Sequence, residues 1–179
     1  MADTAPALVC LGAQVAISDG ETDRGQPVEE LFTGDSARPL SMGPTDIVTH
    51  ITIPCGEAIQ GYAFMKFCPR GGLEFATVNV AILVNMLEDR ETCSTARIVV
   101  GAVTASPVRE RKAEDLLKGE KLSEDLLVAA AQAAAAEIRP ALRPAYSRSY
   151  LKKCIETLCR DGLDAARERI GTRGGALPI

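Results

Sequence analysis

The chain has 179 residues, of which 46% are hydrophobic, enough for the core of one large domain or of two small lobes. A net charge of −4 with dispersed basic residues excludes a nucleic-acid surface, and we expect a cytoplasmic protein because the sequence has no apolar run of about 20 residues and no basic secretion signal. The six cysteines lack a C-x-x-C spacing and His50 is the single histidine, so the sequence predicts no metal site and favours buried thiols in a reducing compartment.

The first 56 residues are predicted to form a short helix and a small β-rich unit. The helix covers Asp3–Gly12, with Asp3 or Thr4 available as its cap. A strand is expected at Gln14–Ser18, followed by a polar turn at Asp19–Gly25 and then a long loop.

A second strand is expected at Asp46–Pro54. Its Ile47, Ile51 and Ile53 fall on one side, and polar His50 falls on the other. This alternation is typical of a half-buried strand.

Three longer strands are predicted next, at 58–68, 75–87 and 96–103, separated by polar or glycine-containing turns. We interpret them as a three-stranded antiparallel meander. In the middle strand the valines and Ile82 alternate with Thr77 and Asn79, so one face must be covered by an apolar layer.

Three helices are expected to supply that cover. Ser106 with the following proline predicts the start of the first, Gly119 its end, and Ser123 the cap of the second. The third covers Ser147–Ile170. The residues directed inward are predicted to be Ala113, Leu116 and Leu117 from the first helix, and Leu151, Ile155, Leu158, Leu163 and Ala166 from the third.

Five segments of this half of the chain carry a family pattern. They are Gly61–Arg70 (GYAFMKFCPR), Glu74–Ala81 (EFATVNVA), Ala96–Val103 (ARIVVGAV), Ser106–Glu114 (SPVRERKAE) and Tyr146–Tyr150 (YSRSY). Their content and order resemble the C-terminal domain of the FAD-binding medium subunits in the carbon monoxide dehydrogenase and xanthine dehydrogenase family of molybdenum hydroxylases. The Gly71–Gly72 turn departs from the family's aspartate-rich turn, which puts a nucleotide contact there in doubt.

The segment Ala2–Ala13 is similar to the helix that follows the second flavin-phosphate loop of the same family. The family's Gly-Gly-Asn segment does not precede it here, so we expect a truncated or separately encoded C-terminal portion of the subunit. The resemblance implies an α+β fold: the end of an FAD-binding lobe (1–56), then a three-stranded antiparallel sheet on about three helices (57–171). Residues 172–179, including most of the Gly171–Gly175 stretch, are predicted to be a flexible tail without a role.

The resemblance also implies three cofactor-binding residues and no catalytic residue. Lys66 corresponds to a lysine beside the flavin ring, Asp3 to an aspartate that contacts FAD, and Val48 to an apolar residue against the flavin. The residues alone leave other interpretations open: a solvated lysine, a helix cap and a core valine. Arg70 and Glu74 are expected to form an exposed ion pair, to anchor the turn between them, or to face the cofactor region.

The function implied by the resemblance is electron transfer. FAD in this subunit would exchange electrons with two iron-sulfur clusters in a small subunit, which connect it to a molybdenum cofactor in a large subunit, and with NAD or a quinone. The chain alone is expected to be inactive, and its retention of flavin is left open. The alternatives are an assembly module of such a complex that binds no flavin, and an unrelated α+β ligand-binding domain.

Overall fold

A computed structural model describes residues 3–56, 59–70 and 74–171 of the chain. The flexible-tail prediction for 172–179 and the turn at Gly71–Gly72 lie outside the described residues. The first part contains α1 (Thr4–Cys10), β1 (Gln14–Ser18), β2 (Asp23–Pro27), a 3-10 helix (Val28–Leu31) and β3 (Ile47–Thr52). The second contains β4 (Gln60–Phe67), β5 (Val78–Met86), β6 (Cys93–Gly101), β7 (Val108–Arg109), α2 (Arg111–Leu117), α3 (Glu124–Glu137) and α4 (Arg148–Gly171).

The first sheet is antiparallel, with the order β2-β1-β3. The polar turn predicted at Asp19–Gly25 is partly wrong, because its second half belongs to β2, where edge position tolerates polar residues. The half-buried prediction for β3 is also wrong, since all six of its residues are exposed. The predicted sides are wrong for Ile47 as well: the register between β1 and β3 shifts at Ala16 and Ile17, so Ile47 pairs with Ser18 and lies on the face opposite Ile51, which pairs with Val15.

The second sheet is also antiparallel, with the order β4-β5-β6-β7. Its three long strands confirm the predicted meander, and β7 adds a two-residue fourth strand. The predicted helix start at Ser106 is wrong, because Val108 and Arg109 pair with β6 and the helix begins only at Arg111. The local Ser-Pro signal is overridden by this strand pairing.

The helices agree better with the sequence-based predictions than the strands do. The Ser123 hydroxyl caps α3 by accepting a hydrogen bond from the backbone N–H of Leu126 at 3.3 Å. The predicted stripe of α4 is buried at four positions and partly buried at Leu158. Leu116 does not point inward as predicted, because 44% of it is exposed. Helix α4 lies against β4 so closely that a Cβ atom at Gly61 would be 1.9 Å from the carbonyl oxygen of Ala166.

Both faces of the second sheet are covered at β5 and β6, whereas Tyr62 and Phe64 of β4 are exposed on the face opposite the helices. The face that carries Val80 and Ile82 packs on the helix layer. The opposite face contributes Ala81 and Leu83 to a second cluster, which includes Val15 of β1 and the buried side of α1. The N-terminal layer and the C-terminal half therefore share a core.

An ion-pair network also joins the two layers. The Arg109 guanidinium contacts Glu114 at 2.5 Å and Glu29 of the 3-10 helix at 3.4 Å, and Arg111 contacts Glu29 at 2.8 Å. The Glu114 carboxylate also accepts a hydrogen bond from the backbone N–H of Ile98 at 2.9 Å. The network connects the 3-10 helix to both β6 and α2.

All six cysteines are free thiols, but the prediction that they are buried is wrong for Cys55. Cys10, Cys93 and Cys159 are buried, Cys68 and Cys154 are partly buried, and Cys55 is exposed. Burial raises the pKa of the Cys10 thiol to about 12 and that of Cys93 to about 11. No helix in the described part of the chain is both long and apolar enough to cross a membrane.

Candidate functional site

Lys66 and Asn79 are neighbours across β4 and β5, and this pairing sets the geometry of the site. They are direct partners in the antiparallel register, so their side chains leave the sheet on the same face. That face is the one covered by the N-terminal layer. Both side chains consequently reach the start of α1.

Asp3 at the start of α1 receives both of them. The Lys66 ammonium group donates to Asp3 Oδ2 at 2.6 Å, and the Asn79 amide Nδ2 donates to Asp3 Oδ1 at 3.0 Å. Asp3 does not cap the helix with its side chain, so the simple capping interpretation is wrong. The structure brings Asp3 and Lys66 together, which the residue patterns alone do not predict.

Glu74 completes the surroundings of Lys66. Its backbone carbonyl accepts a second hydrogen bond from the ammonium group at 2.6 Å. Its carboxylate accepts hydrogen bonds from the backbone N–H and the guanidinium of Arg70, both at 2.9 Å. The predicted Arg70–Glu74 pair is therefore present, and it fixes the segment that supplies the carbonyl.

The charges of this cluster stabilise each other. The hydrogen bond from Lys66 holds the pKa of the Asp3 carboxyl below its ordinary value, with a smaller contribution from Asn79. The hydrogen bond to Asp3 raises the pKa of the Lys66 ammonium group. Lys66 is thus a cation and Asp3 an anion throughout the neutral range.

Asn79 is a part of the site that the sequence did not reveal as functional. It is 1% exposed, and its Oδ1 atom has no hydrogen-bond partner among the described residues. A Cβ atom at Gly101 would lie 2.2 Å from that oxygen and 2.3 Å from Cγ of Pro6. Glycine at position 101 therefore lets α1 approach the sheet closely enough for Asp3 to meet Asn79. A polar residue among the apolar residues at the start of β5 was the available signal.

Val48 lies apart from this cluster. It belongs to β3 in the other sheet, where it pairs with Ile17, and it is 39% exposed. The core interpretation of Val48 is therefore wrong. Its exposure leaves the side chain available to an apolar neighbour.

The cluster suits an acceptor group better than a metal ion. An ammonium group has three N–H donors, and the two contacts above use two of them. The Lys66 side chain is 27% exposed, so its remaining donor can serve an oxygen or nitrogen acceptor. No group of three or more His, Cys, Asp or Glu side chains positioned for a metal occurs among residues 3–56, 59–70 and 74–171.

Two curated proteins are similar to most of this chain. The chain is 28% identical over 162 residues to a 6-hydroxypseudooxynicotine dehydrogenase complex subunit alpha of Paenarthrobacter nicotinovorans, covering 90% of this chain and 53% of that protein. It is 25% identical over 157 residues to the glyceraldehyde dehydrogenase medium chain of Sulfolobus acidocaldarius, covering 84% and 52%. The chain thus spans about half the length of the curated relatives it matches.

Solved structures share the fold. Reconstituted CO dehydrogenase from Oligotropha carboxidovorans superposes with a TM-score of 0.82 at 25% identity, over 92% of this chain and 56% of that one. Quinoline 2-oxidoreductase from Pseudomonas putida 86 gives a TM-score of 0.83 at 21% identity, over 94% and 57%. This second likeness shows the fold alone.

The assignment of this chain to a family rests on its match to a family model. The model of the CO dehydrogenase flavoprotein C-terminal domain matches residues 63–166, from β4 through most of α4. That interval is more than half of the chain and contains Lys66, Asn79 and Glu74. The chain therefore belongs to the CO dehydrogenase flavoprotein C-terminal domain family.

Proposed function

We propose that the chain is part of the FAD-binding electron-transfer subunit of a cytoplasmic molybdenum hydroxylase or dehydrogenase. Family membership and the relatives named as subunits of dehydrogenases support this role. The proposed partners are an iron-sulfur small subunit and a large subunit with the molybdenum cofactor. NAD or a quinone is the proposed external acceptor.

The observation that carries the proposal is the 2.6 Å contact between Lys66 and Asp3. It joins two residues that are 63 positions apart and that the family resemblance had assigned separately to the flavin. A cation with a remaining donor, held beside a helix start, fits the polar edge of a flavin. Both residues of this fit, Lys66 and Asp3, belong to this chain.

Each of the proposed flavin-binding residues would have its own role. FAD supplies electron exchange in single steps and in pairs. Lys66 would donate a hydrogen bond to the ring and stabilise the negative charge that reduction produces. Asp3 would keep Lys66 protonated and oriented, and Val48 would offer an apolar contact. We propose residues 1–56 as the end of the FAD-binding domain and 57–171 as the C-terminal domain.

A second candidate function is assembly without flavin. It is favoured by the same contacts, since Lys66 already has a carboxylate and a carbonyl as partners. In that role the cluster would simply fasten α1 to the sheet. The chain would then hold subunits together and carry no cofactor.

The two candidate functions can be distinguished by measurements on the assembled complex. We expect the purified complex to show flavin absorbance in the visible range, and Lys66→Met to lower its flavin content at least tenfold or to shift the flavin midpoint potential to a more negative value. Lys153→Met is the matched control, because Lys153 forms an exposed ion pair with Glu156 at 3.1 Å within α4. A colourless complex that still contains the iron-sulfur and molybdenum subunits would support assembly and contradict the flavin role.

A further inference from the structure

Glu110 carries a buried carboxyl group that the chain leaves without a hydrogen-bond donor. The residue follows β7 directly and is 1% exposed. Its Oε1 atom accepts no hydrogen bond from the described part of the chain. Buried polar atoms in folded proteins nearly always have a partner, and one without a partner is destabilising. This oxygen is therefore available to a donor from outside the chain.

The neighbours of Glu110 do not supply that donor. The charged and titratable groups that face it from the packed helices are Glu114, Glu137, Lys152 and Cys159. The ammonium group of Lys152 donates instead to the backbone oxygen of Ala136, at 2.7 Å. Burial, with smaller contributions from the negative charges of Glu137 and Glu114, raises the pKa of the Glu110 carboxyl to about 7. A cation beside Glu110 would compensate the charge that it carries when it is ionised.

A cavity of about 360 Å³, which we name the Glu110 cavity, lies beside this carboxyl group, between β7 and the residues that follow α3. Glu110 and Arg139 contribute charged groups to its wall, and Val108 and Ile138 contribute apolar ones. Pockets that hold small molecules measure roughly 300–1,000 Å³ and combine apolar walls with a few polar groups. The volume therefore suits a ligand of amino-acid size.

Arg139 is the second charged group of this wall that has no partner. It is exposed, and its guanidinium forms no hydrogen bond or ion pair within residues 3–56, 59–70 and 74–171. The other two arginines of the wall, Arg109 and Arg111, both contact Glu29. No ion pair joins Glu110 to Arg139, so more than 4.0 Å separates their charged groups. A ligand can therefore lie between a carboxyl group and a guanidinium that do not contact each other.

We propose that the Glu110 cavity binds a small zwitterion, whose ammonium group donates to Glu110 and whose carboxylate accepts hydrogen bonds from Arg139. Both contacts are charge-assisted, which makes them stronger than neutral hydrogen bonds. A simple cation would leave Arg139 without a partner, and a simple anion would face the carboxyl group of Glu110. The ligand class is therefore an amino acid with an apolar linker between its two charges.

This site is separate from the proposed flavin site. Glu110 follows β7, whereas Lys66 lies on β4, and these two strands are the opposite edges of the second sheet. The inference consequently does not depend on flavin binding. Lys66→Met should leave the affinity of the Glu110 cavity unchanged.

The test titrates the full chain with unbranched ω-amino acids of two to six carbons, by isothermal titration calorimetry. Glu110 and Arg139 have a fixed separation, so we expect one linker length to bind best. That amino acid should bind at least tenfold more tightly than the alkylamine and the alkanoate of the same length, each of which carries only one of the two charges.

Two substitutions locate the ligand in the cavity. Glu110→Gln should weaken binding of the best amino acid at least tenfold. Arg139→Gln should weaken it at least threefold, a smaller effect because Arg139 is exposed to water. Glu168→Gln and Arg38→Gln are the matched controls, since both residues are exposed and neither lines the cavity. Circular dichroism verifies that each variant is folded.

The pH dependence of binding distinguishes a contact with Glu110 from a purely structural role of this residue. The ammonium group binds the ionised carboxylate, and the pKa of Glu110 is about 7. Affinity should therefore fall about tenfold between pH 8 and pH 6 in the wild-type chain. In Glu110→Gln the remaining affinity should not change with pH over this range.

Four results would overturn the inference. One is the absence of saturable binding by every amino acid of the series at concentrations up to about 10 mM. The second is equal binding of the amine or the alkanoate with a single charge. The third is wild-type affinity in Glu110→Gln, and the fourth is a loss of binding in Lys66→Met, which would place the ligand at the other edge of the sheet.

Discussion

Ile155 on α4 and Ile51 on β3 are the same residue type in the two halves of the chain. Ile155 is fully buried, whereas 45% of Ile51 is exposed. The C-terminal half closes its sheet with helices on one face and the N-terminal layer on the other. The N-terminal layer buries one side of β1 and leaves β3 uncovered. The centre of the C-terminal sheet is therefore covered on both faces, whereas the N-terminal sheet has an exposed edge strand.

The largest expected effect contrasts these two isoleucines directly. Ile155→Ala should lower the free energy of unfolding by about 3–4 kcal/mol, because it removes buried methyl groups and leaves a cavity. Ile51→Ala should change it by less than about 0.5 kcal/mol. Urea denaturation of both variants measures the difference. Equal losses would mean that β3 is covered in solution.

Substitutions of two glycines, one in each sheet, compare the two halves of the chain in a second way. Gly61→Ala should cost about 2 kcal/mol, because the new Cβ atom would be 1.9 Å from a backbone oxygen of α4. Gly25→Ala on β2 should stay within about 0.5 kcal/mol, since its nearest neighbour would be 4.0 Å away. Thermal unfolding of the two variants provides the measurement. A tolerated Gly61→Ala would contradict the close approach of α4 to β4.

The buried Glu110 predicts a pH dependence in the C-terminal half. Burial raises the pKa of its carboxyl to about 7, and the negative charges of Glu137 and Glu114 add to the shift, while Lys152 opposes it. The folded protein binds this proton more tightly than the unfolded chain, whose glutamate has its ordinary pKa near 4.5. Stability from this group is therefore complete below pH 4.5 and is lost as the pH rises through about 7.

Glu110→Gln removes that proton equilibrium. We expect the wild-type chain to lose about 2 kcal/mol more than this variant between pH 5 and pH 8, measured by urea denaturation at each pH. Glu168→Gln, on the exposed side of α4, is the control and should keep the wild-type trend. If the stability of Glu110→Gln changes with pH in the same way as that of the wild-type chain, Glu110 is not the source of the pH dependence.

The smallest expected effect concerns the link between the halves. Glu29→Gln should cost about 0.5–1 kcal/mol, because Glu29 is 37% exposed and its contacts are of the surface type. Unfolding should remain a single transition, since the shared core of Val15 with Leu83 persists. Fluorescence and circular dichroism should give coincident curves. Two separate transitions would show that the ion pairs, and not the core, couple the layers.

Strong local signals allowed much of the fold to be predicted. The Ser123 cap, the stripe of α4 and the three long strands each follow from periodicity or capping chemistry. The beginning of α2 did not, because Val108 pairs with Val100 of β6, and the Ser-Pro signal for a helix start takes no account of strand pairing. The strand β2 was missed because an edge strand of polar residues has no alternation to detect.

The candidate site was predicted only in part. The family resemblance identified Asp3 and Lys66, but their direct contact depends on how α1 lies against β5. Asn79 was recognised as a polar residue within its strand, yet its bond to Asp3 joins positions 76 residues apart. Such a contact is a property of the assembled layers and has no sequence pattern of its own.

The distribution of thiols has a practical consequence for following assembly. Cys55 lies two residues beyond Ile53 and is exposed, whereas burial keeps Cys10, Cys93 and Cys159 unreactive. Cys68 and Cys154 are partly shielded and should react more slowly. A maleimide fluorophore applied briefly should therefore mark the natural chain beside its uncovered strand. Its emission would then register the arrival of a neighbouring polypeptide without any engineered substitution.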